Sequence, residues 1–130
     1  MTRVVLDTNI LVSALWSADG KPAGIVREVL TGRLAVCYDH RMMEEYTAVL
    51  SRPKFRFAPS DIRDLLSGIK TGGLSVVAPK TEVAFTDETD RKFYEVAKFC
   101  GAVLVTGNRR HYPDEPSVMT AAAFLEEHAK

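Results

Sequence analysis

Asp7 closes an apolar run, Arg3-Val4-Val5-Leu6, and opens the polar pair Thr8-Asn9. The run reads as a central parallel strand, and the polar triplet marks where the chain leaves the sheet. In open α/β sheets ligands sit beyond the carboxyl ends of the strands, so Asp7 is placed where chemistry is usually done. A partly buried carboxylate there needs a proton, a cation or a hydrogen-bond donor. Two other acids are aimed at the same place. Met42, Met43, Tyr46, Val49 and Leu50 form an apolar helical stripe. At ~100° per residue Glu45 lies at the edge of that stripe, whereas Glu44 points nearly opposite, into solvent. Later, Phe93, Val96, Ala97 and Cys100 define a buried helical face on which Asp90 also falls, while Asp87 is turned away and suits a cap. Asn108 joins them from the end of a further strand. Three close carboxylates repel one another, and without a cation at least one must hold its proton more tightly. A hard divalent ion such as Mg²⁺ resolves the conflict, because it prefers oxygen ligands. Metal-assisted cleavage of a phosphodiester is the reaction that suits these groups best.

The elements that must position these residues alternate along the chain. After the first strand, Ile10 to Trp16 continues apolar and Ser17 to Lys21 is a polar break. Pro22 begins a helix to Leu30, ended by Thr31-Gly32. Leu34 to Tyr38 is a second buried strand, and Asp39 caps a helix over about His40 to Leu50, stopped by Ser51-Arg52-Pro53. Ser60 or Asp61 caps the next helix, closed by Gly72-Gly73, and Leu74 to Val77 is a short strand. A helix from Asp87 to Phe99, a strand over Ala102 to Val105, a brief strand near Val118 and a helix from Thr120 complete the pattern. Such alternation implies a parallel sheet covered by helices on both faces, with right-handed crossovers. No repeat, linker or low-complexity segment interrupts it, so residues 1–130 are expected to form one domain.

The composition is that of an ordinary globular protein, 46% hydrophobic and 26% charged. Seventeen basic residues balance seventeen acidic ones, so no strong overall field draws the chain to nucleic acid or membrane. This weighs against a pure nucleic-acid binder but not against a nuclease whose acidic site is offset by basic residues at its rim. Cys37 and Cys100 have no zinc-like spacing and read as small hydrophobes in a reducing cytosol. No signal peptide precedes the first strand and no apolar stretch approaches a bilayer span, so a cytoplasmic protein without membrane contact is expected.

Taken in order, Asp7-Thr8-Asn9, Glu45, Asp90 with Ala97 seven residues on, and Thr106-Gly107-Asn108 resemble the motifs of the PIN domain. Ser13-Ala14-Leu15, Ser51-Arg52-Pro53-Lys54-Phe55 and His111-Tyr112-Pro113 support the match. The chain looks most like the toxin components of bacterial toxin–antitoxin systems, related to VapC-type ribonucleases. The resemblance implies a three-layer α/β/α fold with a central parallel sheet of four to five strands. It also implies a Mg²⁺- or Mn²⁺-dependent endoribonuclease, a small antitoxin partner and a homodimer. Carried over by position, Asp7, Glu45 and Asp90 are its metal ligands and, with Asn108, its catalytic set. Thr8, Asn9 and Thr106 support them. Asn108 stands where many members have a fourth acid, which puts a second metal in doubt.

Each of these residues also has a plainer role open to it. Asp7 could be satisfied by backbone amides of the next turn, Glu45 could be a solvated helix residue, Asp90 could share an N-terminal cap with Asp87, and Asn108 could occupy a turn after Gly107. Arg109 and Arg110 are candidate contacts for RNA phosphates at the mouth of the site. Lys54 and Arg56, interleaved with Phe55 and Phe57, form a second candidate surface for backbone charge and base stacking. Trp16 could pack at a subunit or antitoxin interface. Two rival functions remain: a phosphatase using Asp7 as nucleophile, for which Asn9 stands where a second Asp is wanted, and a catalytically weak or inactive PIN-fold module acting through protein association.

Overall fold

The computed structural model describes residues 1–129. Its centre is a five-stranded parallel sheet: β1 (Thr2–Leu6), β2 (Leu34–Tyr38), β3 (Leu74–Ser75), β4 (Val103–Val105) and β5 (Val118–Met119). Six helices flank it in a three-layer α/β/α arrangement: α1 (Thr8–Trp16), α2 (Lys21–Leu30), α3 (His40–Leu50), α4 (Pro59–Gly72), α5 (Arg91–Cys100) and α6 (Ala121–Ala129). β1 is central because Val4, Val5 and Leu6 are all fully buried, with no polar alternation to mark a solvent face. It pairs in parallel with β2 through Val4 and Val36 and with β4 through Leu6 and Val105.

The strand order β3-β2-β1-β4-β5 is what aims the site. The chain winds outward from β1 through β2 to β3, then crosses back to place β4 on the other side of β1. The strand order thus reverses between β1 and β4, the place in such a sheet where a crevice opens at the carboxyl ends of the strands. Asp7 and Thr106 are the first residues beyond them.

The sequence-based expectations hold for the sheet and most helices, with differences at local signals. The apolar stretch after Asp7 is helix α1 from Thr8 onward, a helix that the polar break at Ser17 leaves only nine residues long. Ser60 and Asp61 do not cap α4. It starts at Pro59 with Ala58 as its N-cap, because proline's fixed φ suits the first helical turn. The expected helix from Asp87 is divided: a 3-10 turn over Glu88–Asp90 precedes α5. Asp87 caps that turn by accepting from the Thr89 amide at 2.9 Å, so Asp90 is released from capping and makes no side-chain cap bond. β3 stops at Ser75 rather than Val77, and β4 starts at Val103. Thr120 precedes α6 and caps it, its hydroxyl accepting from the Ala123 amide. Cys37 is fully buried. Burial first, then the neighbouring Cys100 thiol, pushes its pKa up to about 12, leaving it an unreactive thiol.

Two buried aromatics tie the helices to the central strand. Tyr46 of α3 is fully buried, donates its hydroxyl to the Leu6 carbonyl, and stacks on Phe93 of α5 with ring centroids 6.3 Å apart. The helices carrying Glu45 and Asp90 are thus both referenced to β1. Among the described residues, no helix is long and apolar enough to cross a membrane.

Candidate active site

Asp7 leaves β1 with its amide bonded to the Val105 carbonyl at 3.0 Å, which locks it against the end of β4. Its side chain is buried. Oδ2 accepts from the Thr106 hydroxyl at 2.8 Å and from the Tyr112 hydroxyl at 2.9 Å. The acid is therefore oriented by hydroxyls about a hundred residues away in sequence. Burial raises the pKa of Asp7; the bonds from Thr106 and Tyr112 offset part of that rise, and the charge of Glu45 adds to it. Burial, then the charges of Asp7 and Asp90, keep Tyr112 firmly protonated, so towards Asp7 it is always the donor.

Asp90 stands at the junction of the 3-10 turn and α5, its side chain 13% exposed. Its Oδ2 is buried and has no hydrogen-bond partner. The Nδ1 atom of His111 lies 3.3 Å away, in ion-pair range but without hydrogen-bond alignment. Desolvation, followed by the charges of Asp7 and Asp87, raises the pKa of Asp90 to about 6. An orphaned carboxylate oxygen that feels the charge of a second buried acid is one that a cation would relieve.

Glu45 arrives from α3, as its position at the stripe edge requires. Thr8, the first residue of α1, donates its hydroxyl to Oε2, and the Lys92 ammonium lies 2.7 Å from Oε1. The sequence reading gathers Asp7, Glu45 and Asp90 at one point. The structure brings Glu45 and Asp90 within electrostatic reach of Asp7, yet among the described residues no three acids or other ligating side chains stand close enough to form a ready-made metal cluster. Lys92 is the physical reason, because it draws the Glu45 carboxylate to itself. Beside this pair opens a cleft of about 490 Å³ lined by Arg41, Glu44, Glu45, Glu88, Arg91 and Lys92, among others.

The supporting residues act on the loops. Asn9 accepts from the Gly107 amide at 3.1 Å, clipping the β1 exit to the β4 exit, and Thr106 accepts from the Asn108 amide at 3.0 Å while donating to Asp7. Asn108 is exposed and its side chain caps nothing. Arg109 pairs with Asp114 at 3.2 Å, whereas Arg110 is exposed and, among the described residues, forms no ion pair. Lys54 and Arg56 lie apart from the acids, on the turn after α3.

Sequence reasoning took Tyr112 only as part of a motif and passed over Lys92. A tyrosine four residues past Asn108 could have been read as a donor to a buried acid. Lys92, two residues after Asp90 and beside the apolar Phe93, carried no such signal.

The donor set is all oxygen, and the Asp90 oxygen without a hydrogen bond and the buried Asp7 carboxylate would both gain from a hard divalent cation, so these residues fit one. A PIN-domain model matches residues 3–110. The chain is 28% identical to an uncharacterized protein, MJ1680, of Methanocaldococcus jannaschii over 110 residues, covering 82% of this chain and 71% of the archaeal one. With the parallel sheet, the crevice at β1 and β4, and a family match spanning most of its length, the chain belongs to the PIN-domain family, whose members are in general nucleases that bind RNA and use divalent metals.

Proposed function

We propose that the protein is an endoribonuclease in which Asp7, Glu45 and Asp90 hold Mg²⁺ or Mn²⁺. The observation that carries this reading is the buried Asp90 oxygen without a donor, electrostatically coupled to the buried Asp7. A divalent cation supplies Lewis-acid stabilisation of phosphoryl charge and makes water a competent nucleophile near neutral pH. Asp7 is aligned for this by Thr106 and Tyr112, so its carboxylate needs no reorganisation when substrate arrives. Glu45 is held in reserve by Thr8 and Lys92. Lys92 then has a second use, since once released from Glu45 its ammonium can take up charge on an RNA phosphate. Asn108, whose exposed side chain caps nothing, orients a water or a phosphate, and Arg110 contributes a phosphate contact at the rim.

The biological role that goes with this activity is the toxin of a toxin–antitoxin pair in the cytoplasm, working as a homodimer and held in check by a small antitoxin laid over the acids. The phosphatase alternative loses ground at Asn9, which is spent on bonding the Gly107 amide rather than on catalysis. The test is cleavage of single-stranded RNA by the purified protein: cleavage with Mg²⁺ or Mn²⁺ that stops on adding EDTA is expected. RNA bound but left intact under every metal condition would favour the inactive binding module instead.

A further inference from the structure

Three aromatic rings gather where α1 ends and the chain turns out of α3. Trp16 meets Phe55 and Phe57 edge-on, with centroids 6.0 and 6.1 Å away, and the two phenylalanines stack on each other at 5.3 Å. Phe55 and Phe57 are half-buried and anchor the turn, but Trp16, the last residue of α1, is 65% exposed. A tryptophan propped upright on two other rings and left open to water is a rigid flat surface that the fold itself does not use.

The turn that carries the two phenylalanines is basic. Arg52, Lys54 and Arg56 alternate with the aromatics and are exposed. Among the described residues none of the three forms an ion pair, so all three charges are available to a ligand, as are those of Arg63 and Arg110 elsewhere on the surface. Lys54 instead lies over the Phe55 ring at 5.2 Å. Arg56 is held with φ at 55°, the one residue other than glycine in the left-handed region among those described. That conformation costs a side-chain-bearing residue about 1 kcal/mol and would be free for glycine. The turn thus holds a guanidinium at a position where the backbone alone would favour none.

We propose that this cluster is a stacking platform for single-stranded RNA, with Trp16 taking a base on its open face and Arg52, Lys54 and Arg56 taking the flanking phosphates. The proposal rests on the nuclease reading and deepens it by giving the substrate a second foothold. α1 joins the two: it begins at Thr8, beside Glu45, and its nine residues carry Trp16 about 12 Å away along the helix axis, a span of a few nucleotides. Cations flanking an exposed aromatic suit a polyanion with flat faces, because its phosphates and its bases can meet the two together.

Trp16 is the chain's single tryptophan, so its fluorescence reports this surface alone. The experiment titrates the Asp7→Asn protein, which should not consume the substrate, with a dye-labelled oligouridylate, following binding by anisotropy and Trp16 by emission. Quenching that saturates together with anisotropy is expected. Trp16→Ala should weaken binding about five- to a hundredfold, with Trp16→Phe restoring most of it. Arg56→Gly relieves the backbone and should leave thermal stability unchanged or higher, while the slope of log affinity against log salt falls by about 0.7. Emission unmoved at saturating RNA would overturn the platform. Emission changing with protein concentration alone would overturn it too, since a second copy would then be the occupant. Metal-dependent cleavage by the unmodified protein together with unmoved emission removes the platform and leaves the nuclease standing. Quenching without any cleavage does the reverse.

Discussion

With Asp7 replaced by Asn, RNA cleavage falls by at least about a hundredfold while the fold is as stable as before or more so. The two effects have one origin. The Asp7 carboxylate is buried at the sheet edge, and burial raises its pKa above the ordinary 3.8. A group raised in this way favours the fold below its unfolded pKa, and that contribution is lost as pH rises through the folded value. At neutral pH the ionised acid therefore weighs against folding. An asparagine carbonyl still accepts from Thr106 and Tyr112 but carries no charge to desolvate or to repel Glu45 and Asp90. The stability difference between Asp7→Asn and the unmodified protein should thus be largest near neutral pH in metal-free buffer and fade towards pH 4. Urea unfolding at a series of pH values, alongside a cleavage assay, measures both. An inactive variant that is also markedly less stable would assign Asp7 to scaffolding.

The second large effect lies in a charge network that supports the site from behind. Glu95 is buried on α5 with its side chain fully enclosed. Arg41, in the first turn of α3, reaches it at 2.8 Å and also grips Asp39 at 2.7 Å, while the Thr81 amide donates to the other Glu95 oxygen at 2.5 Å. Burial pushes the Glu95 pKa upward, but the Arg41 and Thr81 bonds prevail and leave it lowered. A lowered carboxyl stabilises the fold above its unfolded pKa, and the contribution is lost as pH falls through the folded value. Arg41→Ala leaves a buried carboxylate with only the Thr81 amide and hydroxyl as donors and should destabilise by about 2 to 3 kcal/mol at neutral pH. This lies at the low end for buried pairs because Arg41 is 42% exposed. The loss should shrink below pH 4. Chemical unfolding checks it, and an Arg41→Ala protein as stable as the unmodified one at pH 7 would show that water replaces the guanidinium.

Much of this arrangement was readable from spacing. The β1 run, the Asp39 cap and the helical stripe of α3 place Asp7 and Glu45 on the elements that carry them, because periodicity reports which face of a helix is buried, whereas Asp90, expected inside a helix from Asp87, stands in the 3-10 turn before α5. α1 was not legible as a helix, since Ile10-Leu11-Val12 reads equally well as a continued strand and only tertiary packing decides. The interactions that orient the acids were less visible still. Tyr112 to Asp7, Lys92 to Glu45 and Arg41 to Glu95 each join residues distant in sequence, and a single chain offers no pattern that pairs them. Glu95 shows the limit most plainly. A glutamate beside Val96 and Ala97 looks like the polar edge of an amphipathic helix, yet it is buried because a partner from α3 meets it there.

The account turns on Asp7, Glu45 and Asp90 serving together as a cation site. Titrating Mn²⁺ into the metal-free protein and into Asp90→Ala, near neutral pH and followed by calorimetry, tests that directly. The account predicts a saturable site in the unmodified protein that weakens at least about tenfold in Asp90→Ala. Equal Mn²⁺ binding by the two proteins, or none by either, would contradict it.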